Sequence, residues 1–375
     1  MNSHGQSRIL ILSNHFITLY QFRRELIEEL LGQGYEVLLS LPPSADNVFF
    51  RERGCRVIES PIDRRGINPL KDVRLLWHYV RLIARCRPVA VLSFTIKPNI
   101  YGAIACNRLG VPQICNVTGT GATFLKRGLL RSLAMHLYRL SVRGATCVFF
   151  QNEGDRQFFR THGMVNGNDH RIPGSGVNLE QYALAEFPAS EAVRFLFAGR
   201  IMRLKGVDEL LAAAAALAKT HAKVEVVLAG FIEEPEYEIR LRDLVQEGVV
   251  HYLGFEKDMV TAIRNAHCII LPSHGGEGIP NVLLEAAAMG RPAIVSAIPG
   301  SVEAVQDGVN GFHFEAGNAG DLLDKMQRFL SLTAAQRELM GQEGRRLVET
   351  QFDRKYIIYI YMKTINAILQ SNPLS

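Results

Sequence analysis

Two glutamates stand out in a glycine-rich stretch that also contains an alanine-rich run. The stretch 274–292, HGGEGIPNVLLEAAAMGRP, has seven residues between Glu277 and Glu285. It predicts a loop and then a helix that begins near Pro280, where a missing N–H costs nothing. Because carboxylates accept hydrogen bonds from sugar hydroxyls, one glutamate can hold the ribose of a nucleotide and the other a donor sugar. Taken alone, the pair favours a polar loop and a solvated helix face.

Cations and a helix start near these glutamates suit a diphosphate. The backbone N–H groups at the start of the helix attract anions, and Gly278 lets a phosphate approach the backbone closely. The stretch 197–211, FAGRIMRLKGVDELL, predicts a strand, a loop and a helix. It places Arg200 and Lys205 on one loop, where two cations match two phosphates. Solvated loop charges are an equally good interpretation of these two residues alone.

Length and composition indicate a globular protein with two domains. The chain has 375 residues, 47% of them hydrophobic and 21% charged, and a net charge of +5, which fits an anionic ligand or membrane surface. The six cysteines are scattered without a CxxC pair, so we expect buried thiols in a cytoplasmic protein. No G-x-G-x-x-G follows the first strand, which argues against a nicotinamide dehydrogenase. We see no signal peptide and no apolar run near the ~20 residues of a membrane span.

The chain alternates continuous apolar strands with helical stretches, which predicts parallel sheets covered on both faces. We predict two tandem doubly wound, Rossmann-like α/β domains facing a central cleft. The boundaries are 1–180 and 190–354, with a hinge near 170–182, and a C-terminal helix at about 355–372 packs back on the first domain. Strands are predicted at 8–13, 35–41, 55–60, 89–94, 113–118, 146–151, 194–200, 224–230, 250–255, 267–273 and 291–297.

The segments GRIMRLKG and EGIPNVLLEA, in this order, resemble glycosyltransferase family 4, whose members have the retaining GT-B fold. The resemblance implies that Arg200 and Lys205 bind the donor diphosphate and act in catalysis with Glu277. It also implies that Glu277 and Glu285 bind the donor sugar and the ribose. The other residues expected to bind the donor are Gly230, Phe255, Gly278, Ile279, Pro280, Asn281 and Val282.

The N-terminal segments DRRGINPLKD, SFTIKPNIYG and NVTGTG resemble a narrower group of bacterial enzymes. That group adds N-acetylgalactosamine to an undecaprenyl-diphosphate sugar. Cations on loops at strand ends, Arg64, Arg65 and Lys97, suit the acceptor diphosphate, although solvated surface charge is the alternative. We also assign His15, Thr118 and Gly119 to the acceptor side. A lone histidine after a first strand, such as His15, is more often structural.

One position departs from the family pattern. Many family members carry a histidine in the loop after the corresponding N-terminal strand, close to the reacting sugar. This chain has Thr118 there, in NVTGTG. A threonine cannot act as a base or as a charged donor near neutral pH, so the role of the family histidine is in doubt here.

The reaction expected from these residues needs no metal or other cofactor. The sequence contains no D-x-D motif to hold a cation on the diphosphate, and two basic side chains with a helix dipole can neutralise that charge. We expect transfer of a sugar, an N-acetylhexosamine from a UDP-sugar, to a lipid-diphosphate-linked saccharide with retention, in bacterial surface polysaccharide or glycan synthesis. The alternatives are a UDP-sugar 2-epimerase of the same fold and a non-catalytic nucleotide-sugar-binding subunit.

The segment 124–144, FLKRGLLRSLAMHLYRLSVRG, predicts a basic amphipathic helix. Such a helix can lie on an anionic membrane or pack on its own sheet with solvated arginines. Because the implied acceptor is a lipid, we expect a peripheral protein on the cytoplasmic face of the inner membrane. We expect no nucleic-acid partner. The residues that carry the pattern are Leu129, Leu130, Leu133, Leu137 and Leu140 with Arg127, Arg131, Arg139 and Arg143.

Overall fold

The computed structural model describes residues 7–63, 66, 68–121, 124 and 128–371, without the side chains of 129 and 130. The chain forms two compact units. The first is Met1–Ser175 with Lys355–Ser375, and the second is Gly176–Arg354.

The first unit is built on a parallel sheet of seven strands in the order β3-β2-β1-β4-β5-β6-β7. The central strands are almost fully buried, as expected for a sheet with helices on both faces. The strands are β1 Arg8–Leu12, β2 Glu36–Leu41, β3 Arg56–Glu59, β4 Ala90–Phe94, β5 Gln113–Val117, β6 Cys147–Phe150 and β7 Asp169–Arg171.

The helices of the first unit follow the strands along the chain. They are α1 Phe16–Phe22, α2 Arg24–Gly32, α3 Val48–Glu52, α4 Pro69–Cys86, α5 Ile96–Leu109, α6 Leu129–Ser141 and α7 Glu153–Thr161. The helical periodicity over 18–32 belongs to two helices, because Arg23 leaves helical geometry between them. The buried Arg23 guanidinium stacks on the ring of Phe94 at 4.8 Å.

The C-terminal helix completes the core of the first unit. Helix α15, Arg354–Ser371, buries Ile357, Tyr361 and Ile365 among residues of the first sheet. Their spacing of four residues places them on one face of the helix. The Tyr361 hydroxyl also donates a hydrogen bond to the buried Asn116 side chain. This helix therefore packs as part of the first unit although the second unit precedes it in the sequence.

The second unit has a parallel sheet of six strands in the order β10-β9-β8-β11-β12-β13. The strands are β8 Val193–Ala198, β9 Val224–Ala229, β10 His251–Tyr252, β11 Cys268–Leu271, β12 Ala293–Ser296 and β13 Gly311–Phe314. The helices are α8 Val207–Ala218, α9 Glu236–Gln246, α10 Met259–Arg264, α11 Asn281–Ala288, α12 Ser301–Ala304, α13 Ala319–Ser331 and α14 Ala334–Gln351. The prediction of two doubly wound α/β domains is confirmed.

Two edge strands were not predicted from the sequence. Strand β7 has three residues, two of them exposed, and pairs with β6. Strand β13 has four residues and pairs with β12. Neither segment is a long apolar run that would be recognised as a strand. Pairing with the neighbouring strand holds these residues in an extended conformation.

Both sheets reverse their strand order at an interior position. The reversal lies between β1 and β4 in the first sheet and between β8 and β11 in the second. Loops that leave two such strands run in opposite directions and open a crevice at the carboxyl ends. The loop after β8 carries Arg200 and Lys205, and the loop after β11 carries Glu277.

Candidate active site

An ion pair joins the two loops at the reversal of the second sheet. The Lys205 ammonium donates a hydrogen bond to Oε1 of Glu277, and both side chains are mostly buried. The Ser273 hydroxyl, at the end of β11, donates to the same oxygen at 3.1 Å. Glu277 is therefore not simply a solvated side chain in a polar loop, because Lys205 and Ser273 both donate hydrogen bonds to its carboxylate.

The charge state of Glu277 follows from these contacts. Burial raises the pKa of Glu277, but the charge and hydrogen bond of Lys205 outweigh it, with smaller help from Ser273 and Arg200. The net result is a pKa below the ordinary value. Glu277 is thus an ionised carboxylate near neutral pH, beside a cation that it partly neutralises.

Backbone packing fixes the position of Lys205. The residue ends a short 3₁₀ turn, Arg203–Lys205, and Gly206 follows with φ 71°. A Cβ at Gly206 would lie 1.9 Å from the carbonyl oxygen of Pro272, so the loop after β8 touches the end of β11 directly. Only glycine satisfies both the positive φ and this approach.

Arg200 is the more exposed of the two predicted phosphate-binding cations. Its Nη1 lies 4.0 Å from Oε1 of Glu233, and its charge also lowers the pKa of Glu277. The positive charges of Arg200 and Lys205 therefore both lie close enough to Glu277 to lower its pKa, as expected for two cations on one loop.

The ends of the neighbouring strands bring Gly230 and Phe255 to the same edge. Gly230 follows β9, and a Cβ there would lie 1.8 Å from the carbonyl oxygen of Gly199, the residue before Arg200. The Gly230 N–H donates to the Gly254 carbonyl oxygen at 2.7 Å, and the Phe255 side chain that follows is exposed. An exposed aromatic ring at this edge is available to a flat ligand.

The glycines of the 274–278 loop differ in backbone conformation and packing. Gly275 and Gly276 adopt φ of 136° and 73°, so the backbone freedom of the loop lies there. Gly278 is buried, and a Cβ on Gly300 would come within 1.7 Å of its carbonyl oxygen. The sequence interpretation singled out Gly278, whereas the left-handed conformations belong to its neighbours.

Helix α11 begins without a side-chain cap. Pro280 occupies the N-cap position, one residue before the first helical residue. Ile279 is buried, and Asn281 and Val282 are partly buried. The Oδ1 atom of Asn281 is buried and has no hydrogen-bond partner among the residues that the structure describes. An uncapped helix start of this kind attracts an anion through its N–H groups and dipole.

Glu285 lies in a partly buried site of its own. Burial raises the pKa of Glu285 to about 7, although the charge of Arg354 and a hydrogen bond from Tyr182 oppose the shift. Glu285 is partly buried, so it does not lie on a fully solvated helix face. The sequence reasoning missed Tyr182 and Arg354, since neither lies in a recognisable motif and both are far from Glu285 along the chain.

The predicted acceptor residues lie at strand ends of the first unit, as far as they are described. Lys97 is mostly buried and its Nζ lies 2.6 Å from Oδ1 of Asp72, on helix α4. It is not a solvated surface charge. Thr95, at the end of β4, adopts φ 77°, a strained conformation for a β-branched residue. Arg64 and Arg65 lie outside the described residues.

The other acceptor candidates have mainly structural surroundings. The ring Nδ1 of His15 accepts a hydrogen bond from the Ile17 N–H at 3.1 Å and caps helix α1. Thr118 follows β5 and is partly exposed, and Gly119 has φ 114°. The structure therefore shows a capping role for His15 and leaves Thr118 accessible.

Within the predicted segment 124–144, residues Leu129–Ser141 form helix α6, which packs within the first unit. Tyr138 is buried there among apolar residues, while Leu133 and Leu140 are exposed. Arg139 donates to the carbonyl oxygen of His162 at 2.6 Å, and the Arg131 guanidinium lies 5.4 Å from the ring of Phe158. Arg127 lies outside the described residues, as do the side chains of Leu129 and Leu130.

Within the part of the chain that the structure describes, no group of three His, Cys, Asp or Glu side chains is placed to hold a metal ion. No helix in the same residues is long and apolar enough to cross a membrane.

Each of the two α/β units has a parallel sheet, and the second unit has cations, carboxylates and an uncapped helix start at one edge of its sheet. These are the features of a GT-B glycosyltransferase. Residues 21–174 match the model of the glycosyl transferase 4-like domain. Residues 192–331 match that of the glycosyl transferases group 1. The chain belongs to the glycosyltransferase family that combines these two domains, and the predicted family and enzyme class are confirmed.

Two curated relatives are similar over most of their length. One is the Campylobacter jejuni N,N'-diacetylbacillosaminyl-diphospho-undecaprenol alpha-1,3-N-acetylgalactosaminyltransferase, 26% identical over 97% of this chain and 100% of that protein. The other is the Staphylococcus aureus capsular polysaccharide biosynthesis glycosyltransferase CapM, 24% identical over 78% of this chain and 80% of that protein.

Solved structures share the fold at low identity. A glycosyltransferase from Rickettsia africae superimposes with a TM-score of 0.80 at 17% identity, over 97% of this chain and 99% of that one. Anabaena HepE in complex with UDP and glucose superimposes with a TM-score of 0.79 at 18% identity, over 96% and 100%. At these identities the similarity shows the GT-B fold alone.

Proposed function

We propose that this enzyme transfers an N-acetylhexosamine from a UDP-sugar to a lipid-diphosphate-linked saccharide, with retention at the anomeric carbon. The name of the Campylobacter relative supports both the kind of sugar and the kind of acceptor, and its whole length is covered. The capsule enzyme CapM supports a place in surface polysaccharide or glycan synthesis. Both relatives are named as transferases, so they do not favour an epimerase or a non-catalytic subunit.

The observation that carries the donor assignment is the grouping of Lys205, Arg200 and Glu277 at the reversal of the second sheet. A donor diphosphate supplies a stronger anionic partner for Lys205 than one carboxylate does. We propose that Lys205 moves from Glu277 to the diphosphate, so that Glu277 becomes free to accept hydroxyl hydrogen bonds from the donor sugar.

The proposed reaction breaks the bond between the anomeric carbon and the diphosphate oxygen. Negative charge grows on the departing UDP, where Lys205, Arg200 and the start of helix α11 stabilise it. The acceptor hydroxyl oxygen forms the new bond on the same face of the sugar. Its proton passes to an oxygen of the departing diphosphate, because Thr118 stands where a histidine is common and cannot serve as a base.

We propose that the reaction requires no metal ion. The role of a metal on a diphosphate is to neutralise charge and to orient the leaving group. Two cationic side chains and the dipole of an uncapped helix supply the same neutralisation here. The proposal rests on those positive groups, and activity in the presence of a chelator tests it.

On the acceptor side, we propose that Lys97 binds the diphosphate of the lipid-linked saccharide. Its ion pair with Asp72 keeps the ammonium at the end of β4 and holds it in place before the acceptor arrives. Thr118 and Gly119, at the end of β5, would line the path of the acceptor sugar. The lipid part of such an acceptor requires the enzyme to work at a membrane surface, and we propose the cytoplasmic face of the inner membrane.

A donor screen tests the proposal. The purified protein is incubated with UDP-N-acetylgalactosamine, UDP-N-acetylglucosamine or UDP-glucose, with and without a short-chain polyprenyl-diphosphate monosaccharide. We expect disaccharide formation only with acceptor, and an unchanged anomeric configuration in the product by NMR. Conversion of the donor without acceptor would indicate an epimerase, and donor binding without turnover would indicate a binding subunit.

A further inference from the structure

Helix α4, Pro69–Cys86, has an unusual outer face. Its inner face packs Leu75 and Tyr79 into the core of the first unit. Its outer face exposes Leu70 by 82%, Val73 by 52% and Trp77 by 51%. Trp77 is the only tryptophan of the sequence. Exposed large apolar side chains are normal when they are scattered, but grouped on one helix face they indicate an interaction site.

The same face is positively charged. Arg74, Arg81 and Arg85 are exposed, and their spacing places them beside Trp77 along the helix. The ion pairs formed within the described residues do not include these three arginines. The single carboxylate of the helix, Asp72, pairs with Lys97. The Asp63 carboxylate lies beside the amino end of the helix, where it pairs with Lys71 at 2.9 Å. The outer face of α4 around Trp77 is therefore apolar and cationic.

We propose that the outer face of helix α4 is the surface by which this enzyme docks on an anionic phospholipid membrane. Tryptophan is favourable at the level of the lipid headgroups, where its ring is apolar and its N–H remains hydrated. Arginines beside it bind phosphate groups while their apolar stems cover hydrocarbon. The face thus combines the two interactions that a peripheral protein needs, apolar insertion and attraction to anionic lipid.

Charge complementarity selects the membrane over a second copy of this chain. In a symmetric dimer the same surface meets itself, so this cationic face would meet a second cationic face, whose nearby carboxylates are already paired with lysines. A surface of anionic lipids presents the opposite charge over the whole face. An acidic protein partner would also satisfy the charge, and binding to protein-free vesicles separates it from lipid.

The position of the helix fits a lipid-linked acceptor. Its amino end carries Asp72, which holds the candidate acceptor residue Lys97, and Leu70 lies within the same turn. A membrane under this face would place headgroups near the acceptor side of the first unit. The purpose of docking rests on the proposed function. Vesicle binding itself can be measured without sugar transfer.

Helix α4 is a better candidate than the predicted surface of helix α6. On α6, Arg139 is engaged with a backbone carbonyl and Arg131 lies over an aromatic ring. Among the side chains of α6 that the structure describes, the exposed leucines are Leu133 and Leu140, two turns apart. These two arginines nonetheless provide a matched control, because their reversal changes the net charge of the protein as much as reversal of Arg74 and Arg81.

The single tryptophan makes the docking directly visible. The full-length protein, without donor or acceptor, is mixed with vesicles of phosphatidylglycerol and phosphatidylcholine, or of phosphatidylcholine alone. We expect Trp77 emission to shift to the blue and to be quenched by brominated acyl chains only with the anionic vesicles. Wild-type protein that does not bind anionic vesicles, or that binds while Trp77 emission is unchanged, would overturn the proposal.

Charge reversal then tests the face itself. In co-sedimentation, Arg74→Glu with Arg81→Glu is expected to weaken vesicle partitioning by at least about 25-fold, since each basic residue near such a surface contributes about fivefold. The control, Arg131→Glu with Arg139→Glu, is expected to sediment nearly like the wild type. The reverse result would assign docking to helix α6 and refute the proposal. Leu70→Ser tests the apolar contribution at a highly exposed position, where loss of folding is not expected.

Activity separates this inference from the proposed function. The α4 double variant is expected to keep wild-type transfer to a short water-soluble acceptor and to lose transfer to a full-length acceptor embedded in anionic vesicles. Failure of all transfer by the wild type would refute the proposed function while the Trp77 shift still supported docking. Transfer without any vesicle binding would refute docking alone.

Discussion

Replacing Glu285 with glutamine is expected to change folding stability and donor binding in opposite directions. In the ligand-free protein burial raises the pKa of Glu285 from an ordinary 4.5 to about 7. A raised pKa in the folded state gives stability that is present below pH 4.5 and lost as the pH rises through 7. A shift of this size corresponds to roughly 3 kcal/mol at higher pH. Glu285→Gln has no charge to bury, so it should melt at a higher temperature than the wild type at pH 8.

Donor binding should respond the other way. We assign Glu285 to the ribose hydroxyls, which donate hydrogen bonds to the ionised carboxylate. With a pKa of about 7, the ionised fraction falls from about nine-tenths at pH 8 to about one-tenth at pH 6. UDP-sugar affinity should then fall about tenfold between pH 8 and pH 6, because it follows the ionised fraction of Glu285. The diphosphate of a UDP-sugar has no group that titrates there, so the change belongs to the protein.

Calorimetric titration of a UDP-sugar at pH 6, 7 and 8, without acceptor, measures this effect. Glu285→Gln should bind more weakly than the wild type at pH 8 and lose the pH dependence attributable to this carboxyl. Glu277→Gln is the matched control, because the pKa of Glu277 is lowered rather than raised. It should keep the pH dependence of UDP-sugar binding, because the carboxyl group of Glu277 does not titrate between pH 6 and 8, and it should damage transfer because the contact with the donor sugar is lost. A wild-type affinity that is flat between pH 6 and 8, or unchanged binding by Glu285→Gln, would refute the ribose assignment.

Three further outcomes are expected. Lys205→Ala should lower kcat by about 10²–10³-fold in steady-state kinetics, because it removes a cation from the charge that develops on the leaving diphosphate; wild-type turnover would disprove that role. Transfer should persist in excess EDTA, and activity lost there and restored by magnesium or manganese would show a metal requirement. Gly230→Ala should prevent stable folding or strongly lower the melting temperature, since its Cβ would lie 1.8 Å from a carbonyl oxygen. Gly248→Ala, where φ is +70° but no atom lies within 4 Å, should cost only about 1–2 kcal/mol; equal losses would refute the steric argument.

The main architecture and the grouping of the candidate donor-binding residues at one sheet edge could be predicted from the sequence. Continuous apolar strands such as β1 and β11 can be recognised locally, because burial on both faces favours a nearly continuous run of apolar residues. The loops that follow β8 and β11 carry the glycines and charged residues, so Arg200, Lys205 and Glu277 could be found by residue type and order. The two edge strands could not be found in this way, since neighbouring strands hold them extended.

Only the tertiary structure decided how these groups interact. Lys205 and Glu277 are 72 residues apart, and their pairing depends on the reversal of strand order that brings β8 beside β11. Glu285 has the same side chain as any glutamate, and its pKa near 7 arises from burial against the opposing influence of Arg354 and Tyr182. The sequence determined which residues could carry charge and which segments must be buried. The packing of distant segments determined the exposure and partners of each charge, because both depend on three-dimensional proximity.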